Sequence, residues 1–375
     1  VRLNIDGIAK LDKKTKNLVK RLNPDNIAII DQEDLDRVTA ESLLDTGVQI
    51  VINSAQYITG RYPNTGPLLL ASAKVKLIED AGKEIFKLVN EGDRVMVKDS
   101  SIYKDAKMVA KGNILTLEAI EDKMTAARKN LSGELQDFAV NTLSYVQAEK
   151  GFILDKPSLP EIKTQIKDRP VLIVVRGYDY KQDLRMLRSY IRDIKPVIIG
   201  VDGGADALVE EGYKPDIIIG DMDSAGDKAL RLARELVVHA YTNGVAPGLK
   251  RIEKLGLNAL VFKVEGTSED VAMVLAYELG AEIIVLVGSH ANLIEFLDKG
   301  RKGMASTFLA RLKVGDRLVD AKGVSKLYRS KPKVGYLITI ILAAFITTII
   351  IIMSSPQVRN FVSLVVSRIR LSLGM

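Results

Sequence analysis

Apolar runs that end abruptly in acid and glycine constrain the fold of this chain more than any other feature. Val197-Ile198-Ile199-Gly200-Val201 leads straight into Asp202-Gly203-Gly204-Ala205, and Ile217-Ile218-Ile219 leads into Gly220-Asp221-Met222-Asp223-Ser224. A short apolar run without polar alternation reads as a strand buried on both faces, as in a parallel sheet covered by helices. Open α/β sheets place their ligand crevice outside the carboxyl ends of the strands. Asp202, Asp221 and Asp223 fall there together with glycines. Carboxylates in that position suit Mg²⁺, which is commonly held by one or two of them and by substrate phosphates. Glycine lets backbone come close to a diphosphate or nucleotide. The pattern points to a magnesium–phosphate site and leaves open whether anything is transferred.

The same alternation extends over residues 166–330 and predicts a doubly wound α/β domain. Val171 to Val175 reads as a strand ending in Arg176-Gly177-Tyr178-Asp179. Ala259 to Val264 ends in Glu265-Gly266-Thr267-Ser268-Glu269-Asp270, and Ile283 to Val287 ends in Gly288-Ser289-His290. Helices are expected from Lys181 to Arg192, Ala205 to Glu211 and Val271 to Leu279. The residues at these strand ends are the candidate ligand contacts: Arg176, Gly203, Gly204, Ser224, Thr267, Ser268, Gly288 and His290. His290 reads equally well as a ligand contact or as a structural residue. His239, inside an apolar stretch, reads as structural.

Residues 1–120 form a second, smaller α/β pattern. Strands are expected at 27–30, 48–52, 75–78, 94–98 and 108–110, with helices at 34–44 and 83–89. The turn-rich loop Gly60-Arg61-Tyr62-Pro63-Asn64-Thr65-Gly66-Pro67 divides evenly between a structural turn and an anion-binding loop using Arg61. The order of elements here weakly resembles the swivelling phosphohistidine domains of phosphoenolpyruvate-using enzymes. No histidine occurs in residues 1–120, so phosphoryl carriage by that route is excluded. Residues 121–165 read as a connecting helix, centred on Thr125 to Lys150, and a linker marked by Pro157, Pro160 and Pro170. That helix could pack across the next domain or pair subunits.

Composition narrows the chemistry. The chain has no Cys, which excludes disulfides, thiolate nucleophiles and Cys-based zinc sites. Its two histidines make a His-rich metal centre untenable. Aromatic residues make up 5% and no basic–aromatic run suggests base stacking, so nucleic acid is not an expected partner. Part of the net charge of +7 flanks the segment from Val334 to Met353, an uncharged apolar run. A helix needs ~20 apolar residues to span a hydrocarbon core. Lys322, Lys326, Arg329, Lys331 and Lys333 precede it and Arg359, Arg368 and Arg370 follow. The positive-inside rule and the lack of a signal-like leader predict a single pass through the cell membrane, with a cytoplasmic body and the tail outside. Residues 354–375 have an amphipathic helical pattern, expected to lie in the interface or to pair with a membrane protein.

The two acidic motifs resemble the catalytic domain of thiamin pyrophosphokinases. That family has an Asp-Gly-Gly-Ala-type loop, a Gly-Asp-x-Asp-Ser loop, and a later Asp at the head of a helix, which Asp270 matches. The resemblance implies that Asp202, Asp221, Asp223 and Asp270 form the catalytic and metal-binding set for Mg²⁺ and the phosphates of ATP or another nucleotide or diphosphate. The chain also departs from the family. In Gly288-Ser289-His290-Ala291-Asn292-Leu293, His290 stands where Arg is expected, Asn292 replaces an Asp and Leu293 replaces a His. Nucleotide or diphosphate binding survives these losses better than the use of thiamin as acceptor.

A resemblance covering nearly the whole chain is to the SteA family of bacterial cytokinetic-ring, or septation, proteins. It is carried by GRYPNTGP, VDGGADAL, IIGDMDS, EGTSEDVAM, the run Glu295 to Phe308 and Val319 to Ser325. It implies an amino-terminal domain, a pyrophosphokinase-like domain, a membrane helix, and work at the division septum with a membrane-protein partner. The dimers of the pyrophosphokinase family imply a homodimer. Three readings follow: a membrane-anchored regulator that binds nucleotide, an active diphosphate transferase acting on a small hydroxylated acceptor, and a scaffold with a relic site. The basic run Lys299, Arg301 and Lys302 could add cations to the phosphates or be a solvated turn.

Overall fold

The computed structural model describes residues 4–148, 156–241, 244–290, 297, 300–328 and 334–374. Residues Val1–Ser325 cluster as one compact unit and Lys326–Met375 as another. The first unit holds two sheets, in line with the mixed α/β reading.

The amino-terminal sheet is built from β1 (Asn4–Asp12), β2 (Asn26–Ile30), β3 (Ile50–Asn53), β4 (Lys76–Glu79), β5 (Arg94–Lys98), β6 (Ser101–Lys104), β7 (Lys107–Lys111) and β8 (Asn113–Ile114). The strand order is β7-β6-β5-β1-β2-β3-β4-β8. Strands β1 to β4 run parallel, and antiparallel strands finish both edges. Strand β1, which sequence reasoning left unassigned, lies between β2 and β5. Ile5, Ala9 and Leu11 lie two or four apart and join one core cluster, which is the period of a strand with one buried face. Helix Arg37–Asp45 is capped by Asp36, whose carboxylate accepts from the Thr39 N–H at 2.7 Å.

The GRYPNTGP loop is anchored in the fold through Asn64 and Tyr62. Asn64 is fully buried and its side-chain amide donates to the carbonyls of Leu35 and Tyr57. Tyr62 packs with Leu131, Phe138 and Leu297. The connecting helix is longer than expected, Leu117–Ala148. Its first turns join the amino-terminal core through Ile120 and Met124. Further along, Phe138 meets Phe308 edge-on at 5.7 Å between centroids. It therefore packs against both halves of the first unit, while Leu135, Val140 and Leu143 along it stay exposed.

The second sheet contains β9 (Pro170–Val175), β10 (Val197–Val201), β11 (Ile217–Gly220), β12 (Glu235–Ala240), β13 (Leu260–Lys263), β14 (Ile283–Val287) and β15 (Leu318–Asp320). The order is β13-β12-β11-β10-β9-β14-β15 and every pairing is parallel. Pro170 opens β9 instead of ending a linker, a position where a missing N–H is tolerated. The sheet is covered on both faces. Ile199, Ile217 and Ile219 pack under helix Ser268–Glu278, while Ile218, Leu236 and Val238 pack against Ala205, Ala229 and Ile252. The chain grows from β9 to β13 in one direction and then returns to β14 on the other side of β9. The switch point thus lies between β9 and β14, where doubly wound sheets open their crevice.

In the second unit, helices Val334–Ser354 and Pro356–Ser372 are joined at Ser355. Among the described residues no single helix is long and apolar enough to cross a membrane. Ile338–Ile351 and Pro356–Ser372 meet that requirement only as a pair, bent by 106°.

Candidate functional site at the carboxyl ends of β9 to β11

The two acidic motifs are built around one carboxylate. Asp202 follows β10 with a left-handed backbone, φ 45°, and its Oδ1 accepts from the Met222 N–H at 3.0 Å. Gly220 makes this possible: at φ +145° it has no side chain, and a Cβ there would lie 2.1 Å from Asp202 Oδ1. Met222 is also left-handed, φ 62°, and is fully buried beneath the loop. A long side chain rarely holds such a backbone, and such strain concentrates at binding and catalytic loops. Asp221 accepts from the Asp223 N–H at 3.0 Å. Below the loop, Asp206 accepts twice from the Gly226 N–H, and the Arg251 guanidinium donates to the Met222 carbonyl.

The Asp202 and Asp221 carboxyl groups lie against each other. Burial, and then the Asp221 charge, push the Asp202 carboxyl up to about 7, although the Ser268 hydroxyl and the Met222 N–H pull it back. Burial beside a second carboxylate disfavours the ionised form of Asp202, and a cation there would relieve it.

Helix Ser268–Glu278 packs against β9, β10, β11 and β14 and brings its amino end to the same place. It starts with a capping box: Thr267 and Asp270 exchange hydrogen bonds, at 2.8 Å to the Asp270 carboxylate and 3.4 Å to the Thr267 hydroxyl. The Asp270 carboxylate also accepts from Ser306 at 2.7 Å and is fully buried. Asp270, expected as a ligand, thus also serves as the cap, through Oδ2. Asp223 is exposed at the rim. Among the described residues no group of three His, Cys, Asp or Glu side chains stands ready to hold a metal ion. The pair Asp202 and Asp221 remains, and a pair with phosphates is a normal Mg²⁺ environment.

A cavity of about 420 Å³ opens beside Asp202, the one of the pair that lines it. Arg176, Asp202, Gly203, Ser224, Thr267 and Ser268 line it as expected from the strand ends. Three candidates lie elsewhere. Gly204 is buried in the first turn of helix Gly204–Glu210. Gly288 meets the end of β9 backbone to backbone, and a Cβ on Gly177 would lie 1.8 Å from its carbonyl oxygen. His290 stands 2.6 Å from Asp320 through Nδ1 and 3.2 Å from the buried Asp183 through Nε2. Both ring nitrogens face carboxylates of the protein, so the imidazole orders the β14–β15 edge and does not line the cavity. Burial raises Asp320, but the His290 ring and the Lys322 N–H outweigh it and hold that carboxyl below its usual range. His239 Nε2–H donates to the Val264 carbonyl at 2.8 Å, a structural role as expected. The basic run Lys299, Arg301 and Lys302, with Asn292 and Leu293, lies outside the residues whose side chains are described.

Sequence reasoning missed the opposite wall. Thr15, Lys16, Lys20, Thr39 and Ser42 of the amino-terminal half line the same cavity, and Glu269 joins them from the second half. The available signal was the run Lys13-Lys14-Thr15-Lys16-Asn17-Leu18-Val19-Lys20-Arg21, whose Lys16 and Lys20 share a helical face.

Comparison with known proteins agrees with the motifs. Residues 187–243 match the family profile of the thiamin pyrophosphokinase catalytic domain, and residues 322–372 match that of the SteA-like C-terminal domain. The chain is similar to the 6-hydroxymethyl-7,8-dihydropterin pyrophosphokinase of Methanothermobacter thermautotrophicus, 33% identical over 121 residues, 27% of this chain and 52% of that protein. It is 28% identical to the Methanocaldococcus jannaschii protein of the same name over 148 residues, 34% of this chain and 61% of that one. It thus spans little more than half the length of these relatives. The thiamine pyrophosphokinase structure from Bacillus subtilis aligns over 40% of this chain and 59% of its own, at 23% identity and a TM-score of 0.26. The chain joins a thiamin-pyrophosphokinase-type catalytic segment to a SteA-like C-terminal domain.

Proposed function

We propose that this is a membrane-anchored septation protein whose pyrophosphokinase-like site binds a nucleotide or diphosphate together with Mg²⁺ as a regulatory ligand. The observation that carries the binding is Asp202, with Asp221 against it, lining a cavity of ligand size, about 420 Å³, that Ser268 and Arg176 also line. Asp202 and Asp221 would hold the ion, with Asp223 at the rim. When bound, Mg²⁺ would neutralise phosphate charge beside the two acids. The Ser268 hydroxyl and the N–H groups at the start of helix Ser268–Glu278 suit phosphate oxygens, and Arg176 supplies a guanidinium. Gly203 leaves the wall low, so a phosphate can approach the backbone.

Anchoring rests on the second unit. Every residue from 338 to 351 is exposed and nearly all are apolar, a surface that water does not tolerate uncovered. The flanking cations favour a cytoplasmic body, and the SteA-like carboxy-terminal match supports the septum and a membrane-protein partner. A homodimer is part of the proposal through the resemblance to pyrophosphokinases.

A second reading, an active pyrophosphokinase, is favoured by the names of the two archaeal relatives, whose acceptor carries a hydroxymethyl group. In that case catalysis would come from alignment and charge neutralisation at the same acids. Calorimetry on the detergent-solubilised full chain separates the readings. Titrate ATP, AMP and thiamin diphosphate with and without Mg²⁺, against the Asp221→Asn/Asp223→Asn variant. Mg²⁺-dependent binding lost in the variant, without AMP release from ATP, is the expected result. AMP release that depends on an added hydroxymethyl compound would make the chain an enzyme. No binding at millimolar ligand would remove the nucleotide site altogether.

A further inference from the structure

The cavity lies on a seam between the two halves of the first unit, and the charges along that seam are not treated alike. Arg37 of the amino-terminal half pairs with Asp179 of the other half and stacks over Tyr178 at 5.5 Å from the ring centroid. Lys181 reaches back to Asp45 at 2.6 Å. Where the halves touch, each cation thus has a carboxylate opposite. Where the seam opens, the cations stand alone. Lys16 and Lys20 on one wall and Arg176 on the other line the cavity, and none of them has a hydrogen-bond or ion-pair partner among the described residues. Their neighbour Arg21 shows that this is not a general property of the segment, because it is held by Glu91 and Asp12.

A second cavity, of about 410 Å³, adjoins the first and shares Lys16, Lys20 and Arg176 with it. The three cations therefore line two neighbouring cavities, Lys16 and Lys20 on the amino-terminal wall and Arg176 on the same wall as Asp202. Carboxylates on one side and unpartnered cations on the other match a ligand that is anionic along its length and carries a divalent cation at one end.

We propose that the amino-terminal half completes the phosphate site with Lys16 and Lys20, so that a Mg²⁺-bound polyphosphate joins the two halves across the seam. This rests on the nucleotide reading above and adds its regulation: occupancy of the site is reported by the amino-terminal half, because the ligand supplies there the anion that Asp179 and Asp45 supply where the seam is closed. The cations act on the ligand alone and have no part in the packing of either half.

The test uses the full chain in detergent, with Mg²⁺ and ATP as the probe, at two salt concentrations, alongside amide hydrogen exchange. Lys16→Ala/Lys20→Ala should weaken ATP at least about tenfold, or 1.4 kcal/mol, and flatten the salt dependence. Lys13→Ala/Lys14→Ala, which removes the same charge from the same segment outside the cavity, should stay within about twofold by the same screening argument. ATP should slow exchange in Thr15–Leu18 and Arg37–Asp45 of the wild type and not of the Lys16/Lys20 variant. Wild-type affinity and salt dependence in Lys16→Ala/Lys20→Ala would overturn the inference and leave the nucleotide site standing on the second half alone. An equal loss in both lysine pairs would also overturn it, as a diffuse charge effect. No binding by the wild type would overturn both.

Discussion

Asp202, Gly220 and Asp221 form one object at the scale of single residues, since the glycine makes the space in which the two acids meet. The Asp202 carboxyl is raised from 3.8 to about 7 in the folded protein, mainly by burial and next by Asp221. The folded state then binds that proton more tightly than the unfolded chain. Stability from this group is complete below about pH 4 and is lost as pH rises through about 7. In EDTA, urea denaturation of the wild type should therefore lose stability between these limits relative to Asp202→Asn. Asp221→Asn should move the loss to lower pH. A constant difference between wild type and Asp202→Asn across that range would sink the argument. Gly177 is the second sensitive residue. An alanine Cβ would lie 1.8 Å from the Gly288 carbonyl oxygen, with backbone on both sides. Overpacking commonly costs 1–3 kcal/mol and here has no side chain to yield, so Gly177→Ala should lose about 3 kcal/mol or more, read from the denaturation midpoint.

Helix Ser268–Glu278 is the element on which the site turns, and its first turn separates structural acids from ligand acids. Thr267→Ala should cost about 1 kcal/mol as a lost cap. Asp270→Ala should cost more, about 2–3 kcal/mol, because the Thr267 N–H and the Ser306 hydroxyl both lose their acceptor inside the protein. Asp223→Ala, exposed at the rim, should stay within about 0.5 kcal/mol in stability and act on Mg²⁺-dependent binding instead. Equal stability losses for Asp223→Ala and Asp270→Ala in thermal melts would contradict the division. The same helix shows what could be read in advance. Its start, the strands before Asp202 and Asp221 and the order of the doubly wound half follow from apolar runs and the residues that stop them. The cap was also written there, since Thr267 and Asp270 have the spacing of a capping box. The second donor to the Asp270 carboxylate, Ser306, was not legible, because that contact is made only when a distant helix folds back. The carboxylates beside His290 were hidden for the same reason, as Asp183 and Asp320 come from two other elements. Strand β1 was a different kind of miss: Ile5, Ala9 and Leu11 carry the period of two, but the charged residues between them made the stretch look like a polar lead-in. The lysine wall was invisible as a site because neither Lys16 nor Lys20 has any motif until the two halves meet.

At the scale of the whole molecule, the question is what covers the second unit. From residue 338 to 351 every side chain is exposed, and helix Pro356–Ser372 is restarted by Ser355, which accepts from the Val358 N–H with Pro356 in the first turn. A proline there resets the chain direction without an unpaired donor. Under the anchoring proposed above, two arrangements satisfy such a bent pair: the two helices cross together and end on the far side, or they enter and return. They differ in where the end of the second helix lies. The chain has no cysteine, so Ser372→Cys provides a single reporter. The full chain should resist carbonate extraction, whereas a chain ending at residue 328 should be released. With a crossing pair, a membrane-impermeant maleimide should label Cys at 372 on intact cells. Labelling only after lysis, in a chain that still resists carbonate, would establish the returning pair and overturn the tail-outside topology. Release of the full chain by carbonate would remove the anchor, and the exposed apolar helix would then require a protein surface to cover it.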